Sequence, residues 1–101
     1  MPPGTIEQTI LLVDEDLDFL NWATKHLEAE GLRILRCDNG ESAIKVVGKT
    51  SIDLVIADIQ LRPFDGLELL SRLRAKNTNA VVFLTSGFPS TSQIIEATRR
   101  G

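Results

Sequence analysis

Three carboxylates stand where charge is least expected, at the ends of apolar runs. Asp14 and Glu15 close Thr9-Ile10-Leu11-Leu12-Val13, and Asp58 closes Ile52-Asp53-Leu54-Val55-Ile56-Ala57. Acids gathered at one edge repel, which raises their pKa values or demands a cation. An all-oxygen site of this kind suits Mg²⁺, which keeps several waters and takes phosphate oxygens as further ligands. A carboxylate can also attack phosphorus and form an acyl phosphate. Phosphoryl transfer asks mainly for alignment and charge neutralisation, which a metal and hydroxyl or N–H donors supply. Thr85 and Ser86, which follow the run Ala80-Val81-Val82-Phe83-Leu84, are candidate donors.

Each of these residues also has a plainer reading. Asp14-Glu15-Asp16 reads equally as a helix start, where acids complement the dipole and cap the first turn. Asp58 can close the loop that follows it, and Thr85 suits a strand. The joint arrangement, rather than any one residue, points to phosphoryl chemistry.

The elements that position these groups alternate. Residues 9–13, 32–37, 52–57 and 80–84 read as strands; the first and third are nearly continuous apolar runs, as expected of strands covered on both faces. Residues 32–37 alternate more, which predicts a place nearer an edge. Helical spacing predicts a helix from Leu17 to Glu30 through Phe19, Leu20, Ala23 and Leu27, capped by Asp16 and stopped by Gly31. A second helix follows the cap Asn39 through Ala43, Ile44 and Val47 to about Lys49. After a loop containing Pro63 and Asp65-Gly66, a third is marked by Leu67, Leu70, Leu73 and Arg74. A last helix opens with a capping box at Ser90 and Gln93. Alternating strands and helices predict a parallel α/β sheet with right-handed crossovers, whose functional groups gather at the carboxyl ends of the strands.

Composition narrows the classes. The 101 residues carry a net charge of -3, against a free-standing nucleic-acid binder. No apolar run approaches the roughly 20 residues of a membrane span, and Met1-Pro2-Pro3-Gly4 lacks the regions of a signal peptide. The single cysteine, Cys37, reads as a small buried hydrophobe and gives no sign of an oxidising compartment. The expectation is a cytoplasmic protein with a loose tail over residues 1–8 and one domain over 9–101. His26, the one histidine, falls mid-helix beside the apolar stripe and reads as structural or solvent-facing, and Trp22 as packing or partly exposed surface.

Ile10-Leu11-Leu12-Val13-Asp14-Glu15-Asp16, Asp53-Leu54-Val55-Ile56-Ala57-Asp58, Asp65-Gly66-Leu67-Glu68-Leu69-Leu70 and Phe83-Leu84-Thr85-Ser86-Gly87 together resemble the successive motifs of response-regulator receiver domains of two-component signalling. Asn39-Gly40-Glu41-Ser42-Ala43 resembles that family's second helix start. The resemblance covers nearly the whole chain from Thr9, and four motifs in order are far more specific than one. It implies a flavodoxin-like, doubly wound sheet of strand order 2-1-3-4-5, of which 2-1-3-4 lies in this chain. It implies that Asp58 is the phosphoacceptor. Asp14 and Glu15 match the acidic pair that holds Mg²⁺ with Asp58, and the Gln60 carbonyl matches a further protein oxygen on the metal. Glu15 stands where aspartate is commoner. Thr85 matches the hydroxyl that follows the phosphoryl group on activation, and Ser86 the small residue beside it. The resemblance further implies a histidine kinase or phosphotransfer protein as donor, an output domain in a longer chain, and slow self-dephosphorylation rather than enzymatic turnover. Together with the acidic net charge and the lack of a long apolar run, the expectation is a protein without direct contact with nucleic acid or membrane.

Two departures accompany it. Pro63 lies one place later than the family's usual proline. The family also continues with a fifth strand and helix, an aromatic switch residue and a lysine that pairs with the phosphoryl group, whereas no lysine follows Lys76 here. The expectation is therefore a piece of a longer protein whose fourth strand is an open edge, giving a poorly stable monomer or a homodimer. Two other functions stay in view. A phosphorylation-independent pseudo-receiver is favoured by the missing lysine and disfavoured by the intact acids. A metal-dependent phosphatase is disfavoured because no acid/base partner accompanies Asp58.

Overall fold

The computed structural model describes residues 8–76 and 78–85. Four five-residue strands, β1 (Thr9–Val13), β2 (Arg33–Cys37), β3 (Leu54–Asp58) and β4 (Val81–Thr85), form one parallel sheet in the order β2-β1-β3-β4. Helices α1 (Leu17–Glu28), α2 (Gly40–Lys49) and α3 (Gly66–Ala75) connect them. The order is the expected one. β1, apolar throughout after Thr9, is buried at every residue between its two neighbours, and the more alternating β2 lies outside.

Successive strand residues point to opposite faces, and the core divides accordingly. Leu11, Val13, Val55 and Ala57 face α2 and α3, meeting Ala43, Leu69 and Leu73. Ile10, Leu12, Ile56 and Phe83 face α1, meeting Phe19, Leu20 and Ala23. Leu11, Leu69 and Leu73 are fully buried, a burial that stabilises by about 1.5–3 kcal/mol for each side chain.

Three short polar side chains start the three helices by accepting the unpaired N–H groups of a first turn. Asp16 accepts from Asp18 and Phe19, Asn39 from Ser42 at 2.8 Å, and Asp65 from Glu68 at 2.9 Å. The last of these corrects an expectation. Asp65 is a cap rather than part of a loop, and Gly66 is the first residue of α3. With that start, the face of α3 turned inward is Gly66, Leu69 and Leu73, whereas Leu67, expected among the helix's apolar marks, is 57% exposed. At the other end of α1, the helix closes at Glu28, two residues before the expected Glu30. The chain turns through Gly31 at φ +83°, a conformation that glycine adopts without steric cost.

Phe64 ties the segment after β3 to both neighbouring helices. Its ring fills the space where Gly40 of α2 would carry a side chain, and the Arg72 guanidinium of α3 lies 4.0 Å from its centroid. The Arg62–Pro63 peptide bond in the same segment is cis. Cys37 is half-buried against the α2–α3 side of the core, with its thiol pushed up to about 11 by burial. Trp22 is 46% exposed, and His26 is exposed with its ring 5.0 Å from that of Trp22. The helix expected from Ser90 lies outside the described residues, as does Ser86.

Candidate functional site at the carboxyl edge of the sheet

Parallel register brings two of the three expected acids, Asp14 and Asp58, together with the hydroxyl of Thr85. Asp58, the last residue of β3, pairs with Thr85, the last of β4. Val13 pairs with Ala57 on one side and Cys37 on the other, so Asp14 emerges from the middle of the sheet one step further on, beside Asp58. The backbone is pinned here from several directions. The Asp14 N–H donates to the Cys37 carbonyl at 3.1 Å, Ile59 N–H to the Thr85 carbonyl at 2.9 Å, and Gly66 N–H to the Ile59 carbonyl at 2.8 Å.

Asp14 is 6% exposed, and burial is the main cause that pushes its carboxyl above the ordinary range. A hydrogen bond from the Asp16 N–H, 2.8 Å from Asp14 Oδ1, opposes that rise, and the charges of Asp58, Asp16 and Glu15 add to it. The repulsion expected of gathered acids is thus present at Asp14. Asp58 is half-exposed, and its Oδ1 accepts the Gln60 N–H at 2.9 Å. Here the plainer reading of Asp58 is also met, because its carboxylate folds the first turn of the following loop. Thr85 is 3% exposed, and its Oγ1 is buried with no hydrogen-bond partner among the described residues. Leaving a buried hydroxyl unsatisfied costs about 1–3 kcal/mol.

Glu15 is drawn elsewhere. Its Oε2 lies 3.3 Å from Arg62 Nε in the segment after β3. The pair stands in the wall of an open cleft of about 390 Å³ lined also by Asp38, Asn39, Glu41 and Pro63. Among the described residues, no three His, Cys, Asp or Glu side chains are grouped so as to hold a metal ion by themselves. The donor chemistry nevertheless fits Mg²⁺. That ion is bound through one or two carboxylates with the remaining positions left to water and phosphate oxygens, and the buried Asp14 carboxylate, next to other acids, gains from a nearby cation.

Sequence reasoning missed two residues. Arg62 gave no signal, because nothing in linear spacing places it opposite Glu15. Gly66 was legible only as part of a turn dipeptide. Its actual task is close approach, since a Cβ there would stand 2.5 Å from the Asp58 carbonyl oxygen and 3.0 Å from Ile59 Cα. The missing side chain lets α3 begin directly against the backbone that carries Asp58.

Residues 10–101 match the family described as "Response regulator receiver domain". Among curated relatives, the heme response regulator HssR of Staphylococcus haemolyticus is 33% identical over 76 residues, covering 75% of this chain and 34% of that protein. The chain spans 21–34% of the length of the curated relatives it matches first. Among solved structures, a response regulator receiver protein from Pseudomonas putida superposes with a TM-score of 0.77 at 21% identity, covering 96% of this chain and 82% of that one. A chain from the complex of histidine kinase ThkA with response regulator protein TrrA superposes with a TM-score of 0.74 at 31% identity, covering 83% and 72%.

Proposed function

The chain belongs to the response regulator receiver domain family, and from that premise we propose that it is a signalling phosphoacceptor that takes a phosphoryl group on Asp58. The donor is a phosphohistidine of a histidine kinase or phosphotransfer protein. An Asp58 carboxylate oxygen attacks phosphorus, the P–O bond forms as the P–N bond breaks, and the imidazole nitrogen leaves with the electron pair and takes up a proton. Asp14, Glu15, Asp58 and the Gln60 carbonyl are the oxygens that would hold Mg²⁺. When bound, the ion neutralises the acidic edge and the charge that builds on the transferring group.

The residues divide the remaining work. Asp58 is held in line by the β3–β4 register and by the Gln60 N–H on its Oδ1. Thr85 supplies the hydroxyl that turns to the new phosphoryl oxygens, and Ser86 is the small residue beside it. The observation that carries this reading is the buried Thr85 hydroxyl, without a hydrogen-bond partner among the described residues, on the residue paired with Asp58 across the sheet. A donor without an acceptor among the described residues gains one when Asp58 carries a phosphoryl group.

The protein is a switch rather than a turnover catalyst, with hydrolysis of the acyl phosphate its own slow reset. Its place is the cytoplasm, and its output resides in a further domain of a longer chain. The similarity to the ThkA–TrrA complex supports a kinase partner, and the net charge of -3 supports a role without direct nucleic-acid contact.

Beryllium fluoride, which mimics a phosphoryl group on a carboxylate, tests the reading. With Mg²⁺ present it should shift the Thr85 amide resonance of the wild type and leave Asp58→Asn unchanged. Identical responses in both proteins would remove Asp58 from the mechanism.

A further inference from the structure

We propose that Arg62 is the built-in counter-ion of the acidic edge and sets how tightly a divalent cation is held there, by competing with it for the Glu15 carboxylate. This rests on the reading of Asp14, Glu15 and Asp58 as metal-holding acids.

Three observations lead to it. Glu15 and Arg62 come from different segments, 47 residues apart, the first following β1 and the second following β3. Their contact therefore bridges the same two strands whose ends carry Asp14 and Asp58. The guanidinium also occupies Oε2 of the carboxylate that the proposed function assigns to the metal, at 3.3 Å from Arg62 Nε. Finally, among the described residues Arg62 is the one basic side chain in a cleft wall that holds the carboxylates of Glu15, Asp38 and Glu41.

The strength of the pair decides the kind of control. Arg62 is 84% exposed and Glu15 37% exposed at the side chain, and an ion pair so open to water is weak and screened by salt. It acts as a graded tax on metal affinity rather than a lock. Exposed pairs are typically worth about 0.2–1 kcal/mol, so their removal corresponds to tightening of roughly 1.5- to 5-fold. The loss of a positive charge near the entering ion acts in the same direction.

Calorimetric titration of the full chain with Mg²⁺ alone tests the inference. Arg62→Gln should bind Mg²⁺ about 1.5- to 5-fold more tightly than wild type at low ionic strength, with the gap narrowing as KCl is raised. Arg33→Gln, the same charge change at the start of β2 and so at the opposite end of the sheet, should leave affinity unchanged. In the wild type, the Arg62 Nε–H resonance should move in step with Mg²⁺ occupancy as Glu15 is released. Unchanged affinity in Arg62→Gln, or equal tightening in Arg33→Gln, overturns the inference. If Mg²⁺ binding is weakened by Asp58→Asn but unaffected by Arg62→Gln, the metal site stands and only the role of Arg62 falls. If Mg²⁺ binds neither wild type nor Asp58→Asn, the metal-site reading falls and the inference with it.

Discussion

Asp14, buried beside other acids, and Thr85, whose buried hydroxyl has no partner among the described residues, are held in states that cost stability. Burial first, then neighbouring carboxylate charge, raises the Asp14 carboxyl above its ordinary value. The native state therefore holds that proton more tightly than the unfolded chain. The contribution of Asp14 to stability is greatest below the ordinary carboxyl value of 3.8 and is lost as pH rises through the raised one. With metal chelated, Asp14→Asn, which keeps an oxygen for the Asp16 N–H, should be more stable than wild type at neutral pH. The difference should close as pH falls below 3.8, and urea unfolding across pH measures it. A gap that is constant with pH would assign the effect to something other than Asp14 ionisation. Thr85→Val removes a buried hydroxyl that lacks a partner among the described residues. It should cost nothing and gain up to about 1 kcal/mol in urea unfolding; a loss of that size would mean the hydroxyl is already bonded. Asp14, Glu15, Asp58 and Thr85 were legible because a charge or hydroxyl closing an apolar strand is visible in one dimension. The Glu15–Arg62 contact was not, because it depends on how two loops 47 residues apart lean toward each other.

At the scale of elements, the edge is as precise as the approach of α3 allows. Gly66 gives that helix no side chain where it meets the Asp58–Ile59 backbone, and its N–H binds the Ile59 carbonyl. Gly66→Ala should force the helix start away and destabilise by about 1–3 kcal/mol, the usual range for overpacking. Gly48 on α2 is the contrast: an added Cβ meets nothing within 4 Å, so Gly48→Ala should stabilise by about 0.5–1 kcal/mol through lower backbone entropy in the unfolded chain. Chemical denaturation of the two variants side by side checks both signs. The strands and caps were readable from periodicity and from Asp16 and Asn39. The inward face of α3 was not, because its leucine-rich sequence offers more than one apolar stripe. The cap at Asp65 and the close contact at Gly66, both tertiary choices, select the stripe through Leu69 and Leu73.

For the whole molecule, the sheet serves to deliver charge to one edge. β1 and β3 lie side by side, the first followed directly by Asp14 and the second ending in Asp58, while helices on both faces bury the apolar remainder. Mg²⁺ that binds only the folded state must then stabilise the entire domain, by about 2.7 kcal/mol at a hundred times its dissociation constant. The thermal midpoint should rise with Mg²⁺ in the wild type and much less in Asp58→Asn; equal rises would mean the ion binds elsewhere. The acceptor role of Asp58 is open to a more direct measurement, intact-mass spectrometry after incubation with acetyl phosphate and Mg²⁺. A single phosphoryl adduct that requires Mg²⁺ and is absent from Asp58→Asn is the predicted result. An adduct that persists in Asp58→Asn, or a wild-type protein that gains none, would contradict it.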